Sequence, residues 1–198
     1  RELKQEMTNL QLKKEERDAL VRKLKEKRYY YENLARELEQ ASRELEAVLS
    51  QLEEEAQRLA AKGGPFEARK GILMWPCDGE VISTFGVKTH PRFGTILKNN
   101  GIDIKAAPGA KVRCVAPGVV SYAGSLSGFG SCVIVSHGDS YYTLYGHLES
   151  IFVTKGSQVR EGDLVGTLGE TSTPEGAVLH FEIRKSKKAL DPMEWLIR

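Results

Sequence analysis

The stretch 99-NNGIDIKAAPG-109 sets an acid, Asp103, between Ile102 and Ile104 and then runs into Ala-Ala-Pro-Gly. Alternation of apolar and polar side chains marks a strand with one buried face, and Pro108 with Gly109 stops it in a turn. Asp103 therefore stands on the polar face of a strand. There it is either a capped or paired strand acid or part of a groove, and the stretch alone leaves both readings open.

Outward from it, the same period of two recurs from Gly71 in GEVISTFG, KVRCVAPGVVSYAG, GSCVIVSHG, YYTLYGHL, SIFVTKGSQV, LVGTLG and VLHFEIR, with turn residues between. Short alternating strands of this kind predict an all-β antiparallel sandwich or open barrel over 72–198, long enough for one core. No helix longer than a turn is expected before DPMEWLIR.

Upstream the composition changes. All 19 Gly and all 7 Pro fall after Lys62, whereas residues 1–62 hold 14 Lys+Arg and 14 Asp+Glu. Apolar residues there recur at alternating spacings of three and four: Leu3, Met7, Leu10, Val21, Leu24, Tyr31, Leu34, Leu38, Ala41, Leu45, Val48, Leu52, Ala56 and Leu59. This is the seam of a coiled-coil helix over 1–62, about 90 Å long at roughly 1.5 Å per residue. Lys14, Arg17 and Arg28 interrupt the seam, and Tyr29-Tyr30-Tyr31 accompanies a phase shift near Leu34. Residues 1–28 carry ten basic and six acidic side chains and 29–62 carry four and eight, a drift that an antiparallel partner helix would complement. A solvated charged spacer is the alternative, and a self-dimer is not separable here from an arm folded onto its own domain. AAKGGPFEARKG ends the helix at Gly63-Gly64-Pro65 and begins a linker over 63–71. The expected fold class is α+β in two parts.

Composition excludes several functions. With 29 Lys+Arg against 27 Asp+Glu, the net charge of +2 makes no bulk electrostatic case for nucleic acid. No apolar run approaches the roughly 20 residues of a spanning helix, and RELKQEMTNL lacks the apolar stretch of a signal peptide. The chain is expected to be cytosolic or to be a fragment with its targeting segment upstream. Cys77, Cys114 and Cys132 have no C-x-x-C spacing, so neither a zinc ribbon nor a redox motif is expected. They read as small buried hydrophobes, with a disulfide between an unassigned pair left open if the domain is exported. His90, before Pro91, and His137, in SHGDS, read as structural or surface residues, while His147 and His180 lie in strands beside aromatic residues.

Taken in order, TFG, HPRFG, NNGIDIKAAPGAKVRCVAPGVVSYAG, GFGSCVIVSHG, YYTLYGHL, VTKGSQVREGDLVGTLG, LHFEIR and DP resemble the LytM-like, or lysostaphin-type, zinc endopeptidases of bacterial cell walls, which cut peptide cross-links in peptidoglycan. The resemblance implies a compact antiparallel β domain with a groove across the sheet. It implies zinc ligands from an H-x-x-x-D motif and from the second His of an H-x-H motif. Asp103 and His180 occupy ligand positions, but Asn99 stands in place of the first His and Val178 in place of the assisting His of H-x-H. His147 matches a further assisting position. A hydrolytic zinc site needs about three protein ligands and an open position, and the Asn99 amide oxygen is a weak substitute for imidazole. Val178 can neither move nor orient a proton. No catalytic residue is expected, His147 being a retained remnant, and zinc is expected only if the remnant positions still hold a metal.

A long coil joined to a degenerate LytM-like domain resembles the EnvC-like murein hydrolase activators of Gram-negative envelopes, and ILMWPCDGEVISTFG and FEIRKSKKALDPMEWL share that likeness. The resemblance implies a periplasmic, non-catalytic protein of cell division and daughter-cell separation. Such a protein binds a peptidoglycan amidase through the vacated groove, while its coil connects to a membrane ABC-type complex and can hold the groove closed. The groove so implied is lined by Asn99, Asn100, Asp103, Phe129, Tyr145, His147, Val178, His180 and Arg184. Exposed aromatic residues with Arg suit a protein interface, although core packing is the other reading of Tyr145 and Phe129. Tyr145→Ala and Arg184→Ala are accordingly expected to abolish amidase stimulation and to leave the fold intact. Contact with peptidoglycan itself stays open. Two other classes compete: an active zinc-dependent peptidoglycan endopeptidase using Asn99 as a ligand, and a periplasmic adaptor of an efflux pump. The second is suggested by VTKGSQVREGDLVGTLG, which resembles a lipoyl-type half motif beside a coil.

Overall fold

Fifty-five residues without Gly or Pro form one helix, α1 (Glu2–Ala56), about 80 Å long at roughly 1.5 Å per residue. The structure, a computed structural model, describes residues 2–56, 66–89, 96–169 and 176–197. His90, Leu59 and the Gly63-Gly64-Pro65 helix end lie outside the described residues.

Past the linker the chain forms strands β1 (Glu80–Ser83), β2 (Gly86–Thr89), β3 (Ile96–Asn99), β4 (Ile102–Lys105), β5 (Lys111–Arg113) and β6 (Gly118–Leu126). There follow β7 (Gly130–Gly138), β8 (Tyr141–Ile151), β9 (Gln158–Val159), β10 (Leu164–Leu168), β11 (Val178–Lys185) and β12 (Lys188–Leu190). The main sheet runs β1-β4-β11-β8-β7-β6-β9, with β10 on β8 and β5 and with β12 on β11, while β2 and β3 form a separate hairpin. Every strand pair is antiparallel.

Alternation divides the sheet into two faces. Ile102 and Ile104 of β4, Leu179, Phe181 and Ile183 of β11, Tyr141 and Tyr145 of β8, and Val133 and Val135 of β7 enter the main core. Phe66 closes one end of that core, its ring 4.6 Å from His137 and 5.2 Å from Trp195. His137 is buried, with Nδ1 2.8 Å from the Pro117 carbonyl and Nε2 2.8 Å from the Thr143 hydroxyl. Burial drives its pKa down to about 4 against the pull of that carbonyl, so the ring is neutral. With Nδ1–H committed to Pro117, Nε2 accepts from Thr143. All three cysteines are free and buried.

The opposite face is covered by α1. The helix is largely exposed from Leu10 to Tyr30, after which Ala41, Leu45 and Leu49 become buried in a second cluster with Phe129, Cys132, Ile134, Tyr142 and Leu144. The seam from Ala41 to Val48 is thus occupied by the β domain rather than by another helix. Two buried leucines contribute roughly 3–6 kcal/mol before the cost of ordering the helix. That bias is small enough for a competing segment to overcome.

Candidate functional site

The site lies where β3, β4, β11 and β8 meet. His180 of β11 is paired with Asp103 of β4 on one side and with Gly146 of β8 on the other. Strict alternation along β8 would send His147 into the core with Tyr145. Instead the register slips: three steps of β8, Tyr145 to Leu148, lie opposite two of β7, Val133 to Ser131. His147 takes φ +62° and donates its backbone N–H to the Phe129 carbonyl at 2.8 Å. This bulge turns its imidazole toward the groove, with the ring centroid 6.1 Å from that of His180.

Both ring nitrogens of His180 face carboxylates: Nδ1 is 2.6 Å from Asp103 Oδ1 and Nε2 is 3.0 Å from Glu182 Oε1. Burial alone would lower its pKa, but hydrogen bonds to the two acids and their charges outweigh this and raise it to about 10. Burial raises the pKa of each acid, but His180, joined by Ser83 and His147 at Asp103 and by Arg184 at Glu182, outweighs it, so both acids lie below the ordinary carboxylate range. Arg184 continues the row, donating to Glu182 Oε2 and to the Lys187 carbonyl, each at 2.7 Å. Two acids and two cations therefore balance along this face.

These residues do not fit a zinc ion as they stand. Asn99 donates from Nδ2 to Asp103 Oδ2 and to the Ser83 hydroxyl, each at 3.0 Å, and its Oδ1 accepts the Gly101 N–H. The oxygen that would have to act as a ligand is turned away, and the two retained ligand types, Asp103 and His180, are bonded to each other. Among the described residues no group of three His, Cys, Asp or Glu side chains is arranged to hold a metal.

Of the residues expected in the groove, the structure brings Asn99, Asn100, Asp103, Phe129, His147, Val178 and His180 together around one cavity of about 560 Å³. Its roof is α1, through Tyr30, Leu34, Leu38, Ala41 and Ser42. Two expectations need correction. Tyr145 is fully buried in the main core, where its hydroxyl accepts the Val115 N–H at 3.0 Å, so alternation places it on the face opposite the groove. Arg184 is on the groove face but only 2% exposed, outside the cavity and beneath α1, where Glu46 lies 3.9 Å away. The reading from residues missed Glu182 and Ser83. Glu182 had a signal, since it lies two residues beyond His180 and so on the same face; Ser83 had none.

An antiparallel sheet with this Asp–His pair across its groove agrees with the LytM-type domain expected from the sequence. Residues 97–192 match the model of Peptidase family M23, so the β part of the chain is an M23 domain. The curated relatives include Cell division protein DipM of Caulobacter vibrioides, 40% identical over 123 residues, which are 62% of this chain and 19% of that protein. Murein hydrolase activator EnvC of Escherichia coli is 33% identical over 145 residues, 73% of this chain and 34% of that protein. The chain thus spans 19% to 34% of the length of these relatives. Among solved structures, a zinc containing peptidase from Vibrio cholerae is 28% identical, with a TM-score of 0.57 over 65% of this chain and 41% of that one. The α+β architecture, one long helix before an antiparallel LytM-type domain, agrees with the expectation from sequence.

Proposed function

We propose that this chain is a non-catalytic activator of a peptidoglycan amidase in the bacterial periplasm, acting in daughter-cell separation. Relatives named as murein hydrolase activators support the general role. The observation that carries the finer reading is the seating of α1. A helix of the chain itself roofs the groove of an M23 domain whose ligand set is bonded internally. Asn100 donates to Ser42 of α1 at 3.0 Å, and Ala41, Leu45 and Leu49 bury their side chains against the sheet. A groove that accepts one amphipathic helix is shaped for another, which fits a helical segment of an amidase.

In this reading the groove exists in closed and open forms, the amidase binds only the open one, and the fraction open scales its apparent affinity. The exposed N-terminal half of α1 connects to a membrane ABC-type complex that shifts this balance. Among the described residues no helix is long and apolar enough to cross a membrane. The test is dye release from labelled peptidoglycan sacculi by zinc-supplied protein, alone and with a candidate amidase. Release only with the amidase, above the amidase's own rate, supports the activator. Release by the protein alone, lost with a chelator and with His180→Ala, would show an endopeptidase instead.

A further inference from the structure

The main sheet is unfinished on one side. Strand β9 covers only Gly118 and Val119 of β6. The turn before β9 reaches Val120, whose N–H donates to the Ser157 carbonyl and whose carbonyl accepts the Gly156 N–H, each at 2.8 Å. Beyond that point residues 121–126 have β7 on one side and, among the described residues, no strand on the other. Residues 122–126 pair with β7 without a break in register, and none of them is buried. Open edges are ordinarily guarded by Lys, Pro, an inward charge or a bulge. Here no Lys, Arg, Asp or Glu occurs between Arg113 and Asp139, Pro117 precedes the strand, and the bulge between Val120 and Tyr122 lies before the open stretch.

Backbone direction and side-chain placement make this edge complementary to itself. The Leu126 carbonyl turns inward to the Phe129 N–H at 3.1 Å, whereas the Ser125 carbonyl accepts the Tyr122 hydroxyl at 2.7 Å. Alternation then turns the backbone groups of Ala123 and Ser125 away from β7. We propose that residues 122–126 pair antiparallel with the same residues of a second copy of this chain, about a two-fold axis at Gly124. Ala123 and Ser125 exchange N–H···O bonds with Ser125 and Ala123 of the copy, displacing the Tyr122 hydroxyl. On the α1 face Tyr122 meets Leu126 of the copy, both side chains already packed against the second cluster, so that cluster continues across the junction. On the other face Ala123 meets Ser125. Apolar lies on apolar, small on small, and no like charges meet. Because the axis is normal to the sheet, the two grooves open on the same side of one continuous sheet. A single strand from each copy buries less than the roughly 1,200 Å² of stable interfaces, so the dimer is weak and concentration-dependent. The pairing does not depend on what the groove binds.

Gly124→Cys in the full chain tests the register. At the axis the pair is not hydrogen-bonded, so the Cα atoms lie about 4.5 Å apart, within reach of a disulfide, and the new cysteine links to its own copy. A Cβ there meets the Tyr122 side chain, its hydroxyl at 3.3 Å, which can move aside. Ser125→Cys is more exposed but lies off the axis. The native cysteines are buried. In a glutathione buffer Gly124→Cys is expected to form disulfide-linked dimer about tenfold faster than Ser125→Cys, because the pairing holds its thiols together. In sedimentation the mass of the unsubstituted chain should rise with concentration. Ser125→Lys, which charges the edge, should abolish that rise, while Ser125→Thr on the edge and Leu10→Glu on the exposed part of α1 should preserve it. A monomer at every concentration, equal linking at both cysteine positions, or association lost with Leu10→Glu and kept with Ser125→Lys would each overturn the pairing.

Discussion

Ala41 on α1 and Gly128 in the β6–β7 turn meet so closely that a Cβ on Gly128 would lie 2.2 Å from the Cβ of Ala41. A methyl is the largest group the helix can carry at that point. Ala41→Gln should therefore lift α1 without touching the β domain. The expected result is several-fold more dye release from sacculi in the presence of amidase, together with faster alkylation of Cys132. Unchanged release with α1 displaced would show that the helix does not restrain activation.

Tyr145 belongs to the core, so its substitution tests stability rather than recognition. Tyr145→Ala should lower the unfolding free energy by about 3–5 kcal/mol, as truncation of large buried aromatics does. Tyr145→Phe removes the acceptor of the Val115 N–H together with the hydroxyl's bonds to Thr143 and Cys114, at about 1–3 kcal/mol for the stranded donor. Urea midpoints should follow that order, and any loss of amidase stimulation should track the midpoint.

His137 sets the acid response. Its pKa is about 4 when folded against an ordinary histidine value of 6.5. Between those values the unfolded chain binds a proton that the folded one refuses, so stability falls as pH drops from 6.5 toward 4. The slope approaches about 1.4 kcal/mol per pH unit, for a loss of about 3 kcal/mol across the window. His180, whose pKa is raised when folded, opposes this slope near pH 6.5, where the unfolded ring is only half protonated, and adds none below about pH 5.5. Denaturation at a series of pH values should show the slope, and His137→Gln should flatten it above pH 5.

Metal binding should need two changes. Asn99→His supplies a third ligand beside Asp103 and His180, and Val178→His restores the assisting imidazole on the same strand face as His180. After dialysis against zinc, metal analysis should give one zinc per chain for the double variant and well under one for the unsubstituted protein. Stoichiometric zinc in the latter would mean that the Asn99 amide rotates to act as a ligand.

Much of the candidate site was legible because strands expose their logic locally. Asp103 between two isoleucines had to face away from the core, and Val178, His180, Glu182 and Arg184 share a face by parity alone. His147 and Tyr145 were not separable in this way. Both are odd-numbered on β8, and only the bulge at Gly146–His147, a feature of the pairing with β7, sends one to the groove and leaves the other in the core. Arg184 was legible as to face but not as to cover, since its burial comes from a helix more than a hundred residues earlier in the chain.

The sequence by itself determined the two kinds of structure, the strands with their polar and apolar sides, and the loss of two site residues at Asn99 and Val178. These follow from periodicity and side-chain chemistry, which act over a few residues. Only the tertiary structure decided that the seam of α1 closes over the groove, that Asp103 and Glu182 clamp His180 between them, and that Asn99 turns its amide nitrogen inward. A heptad seam specifies that a helix needs an apolar partner but not which one, and that choice is made by shape, as where Ala41 fits over Gly128.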